Sequence, residues 1–255
     1  SEIYAGELSV YDVTDKSETI LLGFTETPYS FTHNAWLSDD GNAVYTTDEL
    51  ANAPVASYDI SDLQDIELLD EYRPLTSVGA DVIPHNVHVW NDFLIISYYT
   101  DGGRIVDAAN PDNLIEVGNF DTFLGGDGGF SGAWGAYPFL PSGNVLLTDI
   151  GNGLYVCGAD YIRACYLEGV VTDATTTNPI FNVDIQIAST ELNEGSTASN
   201  GSYKTGLATA GNYDVTFSHP NYISQTININ LENGELTELD VQLQPKEAIQ
   251  GIVVD

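Results

Sequence analysis

The sequence predicts an all-β protein, a partial β-propeller followed by an Ig-like β-sandwich, and three observations predict it. A strand-rich unit recurs from His33 to His85 to Trp134, at offsets of 52 and 49 residues. Beyond Cys165 apolar and polar residues alternate with period two in several short runs. No stretch carries the apolar period of a long amphipathic helix. A strand-filled period near fifty is that of propeller blades. Period-two alternation repeated at short spacing is that of an antiparallel sandwich with one face buried.

Taken in order, Leu8 to Tyr11 and Thr19 to Phe24 read as the outer strands of a first blade. The next blade opens at His33-Asn34-Ala35-Trp36 and turns at Ser38 to Asn42, where Asp40-Gly41 supplies the positive φ of a tight hairpin. Ala43 to Thr47, Pro54 to Asp59 and Glu67 to Tyr72 are its further strands. A full blade repeats that order from His85-Asn86-Val87-His88, through Phe93 to Tyr98, Arg104 to Asp107 and Leu114 to Val117. The third copy, Trp134 to Asn144, ends after Leu154-Tyr155-Val156. Residues 1–160 thus hold about three and a half blades, where propellers close with four to eight. Missing blades are expected before Ser1; the alternative is that open blade edges pair between chains.

In 161–244, Val183, Ile185 and Ile187 alternate with polar residues, as do Tyr213, Val215 and Phe217, then Ile227, Ile229 and Leu231, then Leu239, Val241 and Leu243. Ile249 to Asp255 echoes Leu167 to Asp173, so 245–255 is read as the start of a second sandwich.

Six Lys and Arg stand against 38 Asp and Glu, a formal charge of −32. Phosphate backbones and anionic membrane surfaces would be repelled, which argues against nucleic-acid and membrane partners. No apolar run reaches the ~18–20 residues of a membrane span, and no signal-peptide pattern begins the chain. Methionine is absent, so the chain is expected to be a piece of a longer, exported protein. Cys157 and Cys165 are too few for a zinc site, and a local disulfide between them is expected, which would imply an oxidising compartment.

Residues 1–160 resemble the LVIVD-repeat proteins, and more narrowly the choice-of-anchor B family. The resemblance rests on the His-Asn openings at His33 and His85, on Gly132 to Gly143, and on Asp149 to Val156. It implies an exported propeller held at a surface by an interchangeable anchor, with no agreed enzymatic activity. The later part resembles the carboxypeptidase regulatory-like domain, a prealbumin-type sandwich. That likeness rests on Gly169 to Asp173, Asn178-Pro179-Ile180, Ala198 to Tyr203, Gly211 to Val215 and His219 to Tyr222, with Asn221 where glycine is usual. It implies an accessory or spacer module. The pairing of modules implies a Bacteroidetes-type exported protein with a type IX secretion signal.

Candidate chemistry centres on histidine. His33, His85 and His88 fall at the innermost strands, where a propeller channel would gather them with Asn34 and Asn86 as ligands for zinc or another transition metal. The favoured reading is that the His-Asn pairs lock neighbouring blades in register, because Trp134 replaces histidine in the third copy. His219 is assigned to a sandwich turn. The Asp-rich turns at Asp12 to Asp15, Asp39-Asp40 and Asp59 to Asp62 offer oxygen ligands for Ca²⁺ without EF-hand spacing. Gly125 to Gly132 lacks the Lys-Ser/Thr of a phosphate loop, and no Gly-x-Ser-x-Gly elbow is present. The three tryptophans, Trp36, Trp90 and Trp134, are expected in blade cores.

The expectation is a non-enzymatic surface protein: a propeller head binding a protein or polysaccharide, on a sandwich stalk. The alternatives are an accessory part of a secreted hydrolase and a self-assembling surface-layer or filament subunit.

Overall fold

The computed structural model describes residues 1–247, so residues 248–255 of the expected second sandwich lie outside the described residues. The chain divides after Arg163 into two compact units. Among the described residues the one helical element is a three-residue 3-10 turn, Leu75–Ser77.

The first unit is a series of antiparallel sheets, each a meander in chain order. The first pairs β1 (Glu7–Asp12) with β2 (Ile20–Glu26). The second runs β3 (Thr32–Leu37), β4 (Ala43–Asp48), β5 (Val55–Asp59), β6 (Glu67–Tyr72). The third runs β7 (Asn86–Trp90), β8 (Phe93–Ser97), β9 (Gly103–Asp107), β10 (Ile115–Phe120). The fourth holds β11 (Ala133–Tyr137), β12 (Val145–Asp149) and β13 (Gly153–Cys157).

Local chemistry explains the repetition. Asp12, Asp59 and Asp107 each accept from the backbone N–H two residues on, at 2.8, 2.8 and 3.1 Å, so one Asx turn ends the matching strand of three sheets. Asp15 and Asp62 close the next turn in the same way, at 2.9 Å each. Asn91 and Asp92, at φ of 50° and 56°, form the two-residue hairpin between β7 and β8.

Successive sheets bury apolar faces against each other. Leu8 packs with Val44, Ala56 and Tyr58 between the first two sheets. Tyr45, Val55, Val87, Leu94 and Ile96 fill the space between the second and third. Phe93, Ile95, Ala136, Val145 and Leu147 fill that between the third and fourth. The unbroken apolar run Phe93-Leu94-Ile95-Ile96 follows from this, because β8 lies between two cores and neither of its faces meets water. Beside these cores Arg104, 6% exposed, reaches Asp101 at 2.5 Å and Glu116 at 3.0 Å. Tyr72 and Ser77 complete the network by donating to Glu116 and Asp101.

The second unit is a β-sandwich. One sheet centres on β14 (Cys165–Asp173), flanked by β16 (Ser202–Leu207) and, in parallel, by β19 (Leu236–Glu238) and β20 (Val241–Leu243). The other orders β15 (Asp184–Ile187), β17 (Gly211–Ser218) and β18 (Gln225–Leu231). Ile185, Ile187, Val215, Phe217, Leu231, Val241 and Leu243 meet in its core, as their alternation requires.

One expectation is corrected here. The Cys157–Cys165 disulfide is not formed, and both residues are free thiols. Each is claimed by the packing of its own unit: Cys157 lies against the cluster between the third and fourth sheets, and Cys165 is buried in the sandwich core. Burial raises the Cys165 thiol to about 11. The disulfide therefore lends no support to export.

Removing Arg104 would strand two partly buried carboxylates. Arg104→Ala should lower the unfolding free energy of the first unit by about 3–5 kcal/mol in denaturant titrations. A loss under about 1 kcal/mol would show that the network is solvated and dispensable.

Candidate functional site

The first strands of three sheets, β3, β7 and β11, pack against one another in that order. Between β3 and β4 the register shifts between Thr32 and Asn34, and between β11 and β12 it shifts between Ala133 and Gly135. His33 and Trp134 are the residues skipped, and bulges of this kind re-aim a side chain out of the alternating pattern. His85 precedes β7, its N–H donating to the Ser97 carbonyl at 2.9 Å. The three openings thus converge: the His33 and His85 rings stack at 4.4 Å, and His85 meets Trp134 at 5.2 Å.

Glu49 follows β4 directly, and its N–H donates to the Phe31 carbonyl, which brings its side chain beside His33. Its Oε2 is 3.3 Å from His33 Nδ1, and its Oε1 is 3.6 Å from His85 Nε2. The Tyr99 hydroxyl donates to Glu49 Oε1 at 2.6 Å. Tyr99 is held at φ 37° by paired hydrogen bonds with Ala133, at 3.0 and 2.8 Å. Gly132 permits that approach, since a Cβ there would lie 2.3 Å from the Tyr99 carbonyl oxygen. His85 Nδ1 contacts the Trp134 carbonyl, which also accepts from Ser97 and Asn86. Burial lowers the His85 pKa, a shift that the Trp134 carbonyl opposes, His33 adds to and Glu49 opposes.

Three residues further along each strand a second tier of rings forms. Trp36 lies 4.6 Å from His88, and Phe139 packs on Trp36, His88, Trp90 and Tyr137 at 5.3–6.0 Å. Trp36 is 37% exposed, Tyr137 46% and Trp134 53%, so two of the three tryptophans expected in cores instead face solvent. The cores between sheets are filled by Tyr, Phe, Leu, Ile, Val and Ala; Trp90 packs against the one between the third and fourth sheets, while the Trp36 and Trp134 indoles stay outside. His88 therefore belongs to the aromatic tier and not with His33 and His85. Its Nδ1 is buried without a hydrogen-bond partner, and burial lowers its pKa.

Glu49 and Tyr99 escape sequence reasoning. One acid among 38 carries no signal, and Tyr99 joins the group only through the bridge to Ala133. The asparagines join His85 in bonding sheet to sheet: Asn34 Oδ1 accepts from the Val87 N–H at 3.1 Å, and Asn86 donates to the Trp134 carbonyl at 3.2 Å. His219 accepts from the Asn221 N–H at 3.2 Å, closing its turn. Among the described residues, the group of three or more ligands close enough to share an ion is His33, Glu49 and His85. The Asp-rich turns commit carboxylate oxygens within the turn, as at Asp40, which accepts from the Ser38 hydroxyl and from the backbone and side-chain N–H groups of Asn42. A separate cavity of about 210 Å³ is lined by Ile105, Val117, Val145, Leu147 and Cys157. It is smaller than the ~300–1,000 Å³ of small-molecule sites.

Residues 166–244 match the carboxypeptidase regulatory-like domain and form that sandwich. No curated protein matches the chain. Among solved structures, the periplasmic gluconolactonase of Pseudomonas aeruginosa is similar at 20% identity and a TM-score of 0.49, over 62% of this chain. The minor pilin of Streptococcus agalactiae is similar at 14% identity and 0.29, over 46%. The TIE protein of Bacillus anthracis is similar at 9% identity and 0.29, over 65%. The matches span 45%, 66% and 41% of those chains. At these scores none of the three defines the fold or the function of this chain.

A histidine that is neutral when folded binds fewer protons than the unfolded chain, so its share of stability is lost as pH falls from the ordinary value near 6.5. His88→Phe keeps a ring in the aromatic tier and removes that proton. Its melting temperature should fall less than that of the wild type between pH 7 and pH 5. Equal losses would place the His88 pKa at its ordinary value.

Proposed function

We propose that residues 1–163 are consecutive blades of a partial β-propeller that binds a polysaccharide on the aromatic face of its first strands. The supporting observation is the row of Trp36, His88, Tyr137 and Phe139, drawn from three sheets and open to solvent at Trp36 and Tyr137. The blade reading is supported by four sheets in chain order, each a meander, with the first strands of three of them side by side.

Exposed aromatic rings bury the apolar faces of pyranose rings, and they do so at low entropic cost because aromatic side chains have two rotatable bonds. A formal charge of −32 repels uronic acids and sulfated sugars, so the ligand is a neutral or cationic glycan. The carboxypeptidase regulatory-like domain serves as a spacer, and the protein works outside the cell or at its surface. Binding without turnover is the activity proposed. A noncatalytic role in a secreted hydrolase would use the same face.

Calorimetric titration of the chain with soluble neutral glucans, xylans, mannans and chitosan tests this. At least one should bind, and Trp36→Ala should weaken it about 30-fold, as loss of a central aromatic anchor does. No binding across the panel, or binding unaltered in Trp36→Ala and Tyr137→Ala, would contradict the proposal.

A further inference from the structure

We propose that His33, Glu49 and His85 bind a divalent transition metal, for which zinc is the probe. Two imidazole nitrogens and a carboxylate oxygen lie within 4.8 Å of one another. Zinc takes a set of two histidines and one glutamate with its fourth position left open. Calcium and magnesium take oxygen ligands, so the two imidazoles select against them.

The Trp134 carbonyl and the Asn86 amide nitrogen both contact His85 Nδ1, the latter at 2.9 Å, which leaves Nε2 as the ring nitrogen that faces Glu49 Oε1, at 3.6 Å. Tyr99 meets Glu49 Oε1 from another direction and supplies no donor to His85.

Both inner ligands are oriented from behind, His85 by the Trp134 carbonyl and Glu49 by the Tyr99 hydroxyl at 2.6 Å. Outer partners of this kind fix the tautomer and direction of metal ligands. Two ligands on a tetrahedral ion, each ~2.0–2.1 Å from it, stand roughly 3.3 Å apart. His33 Nδ1 stands 3.3 Å from Glu49 Oε2 and His85 Nε2 3.6 Å from Glu49 Oε1, near that spacing. The register shift that frees His33 from alternation aims it at this point. The ion would tie the second sheet to the third and leave one position toward solvent. His88, on Trp36 and Phe139, takes no part.

Chelator-stripped protein titrated with zinc, in excess magnesium to occupy surface carboxylates, should bind one zinc per chain. His33→Ala and Glu49→Gln should each weaken binding at least tenfold. Tyr99→Phe, which only orients Glu49, should weaken it about tenfold. His88→Phe should bind as wild type does. Cobalt on the unmutated chain should give the intense visible absorption of a tetrahedral site, a readout that needs no variant to fold. Three results would overturn the proposal: no stoichiometric zinc in magnesium, equal affinity in His33→Ala and Glu49→Gln, or only the weak spectrum of octahedral cobalt.

Discussion

Repeated displacement of one residue at the start of a strand is the constraint on which the rest of the first unit depends. β3 skips His33, β11 skips Trp134, and β7 begins just after His85. Because these strands pack side by side, whatever occupies that position falls on one line, and whatever lies three residues on falls on a second. The first line becomes the His33–His85–Trp134 stack, with Glu49 and Tyr99 at its side. The second becomes the aromatic row on which Phe139 closes. Two chemically different surfaces thus arise from one repeated irregularity.

Charge shapes the unit as firmly as register. Over the whole chain six cationic residues stand against 38 acids, and the guanidinium groups near the cores of the first unit are held by structure. Arg104 joins Asp101 and Glu116, while Arg163 lies 4.2 Å above the Phe93 ring and meets Asp107 at 2.6 Å. Many acids are absorbed in turns that bond their own backbone, as at Asp12, Asp15, Asp59 and Asp62. Hydrogen bonds from Thr14 and Ser17 hold Asp12 and Asp15 below the ordinary carboxylate range.

Much of the fold was legible because it depends on local rules. The alternation at Ile185 and Ile187, the run at Phe93 to Ile96 and the Asp40-Gly41 turn each announce a strand or a hairpin without reference to distant residues. The site was half legible. His33 and His85 are marked by the repeat, whereas Glu49 and Tyr99 arrive through hairpin pairing and a bridge between sheets. Sequence spacing put His88 with the other two histidines, but strand direction carries it to the next tier beside Trp36. Cys157 and Cys165, close in sequence, end in separate cores, because one finishes β13 and the other begins β14. Spacing alone did not report which way either side chain turns.

The most direct measurement is anomalous scattering at the zinc edge from crystals of the full chain grown with zinc and magnesium together. The account predicts one strong peak among His33 Nδ1, Glu49 and His85 Nε2, within bonding distance of all three. Peaks confined to surface carboxylates, with the three side chains unmoved and no density between them, would contradict it.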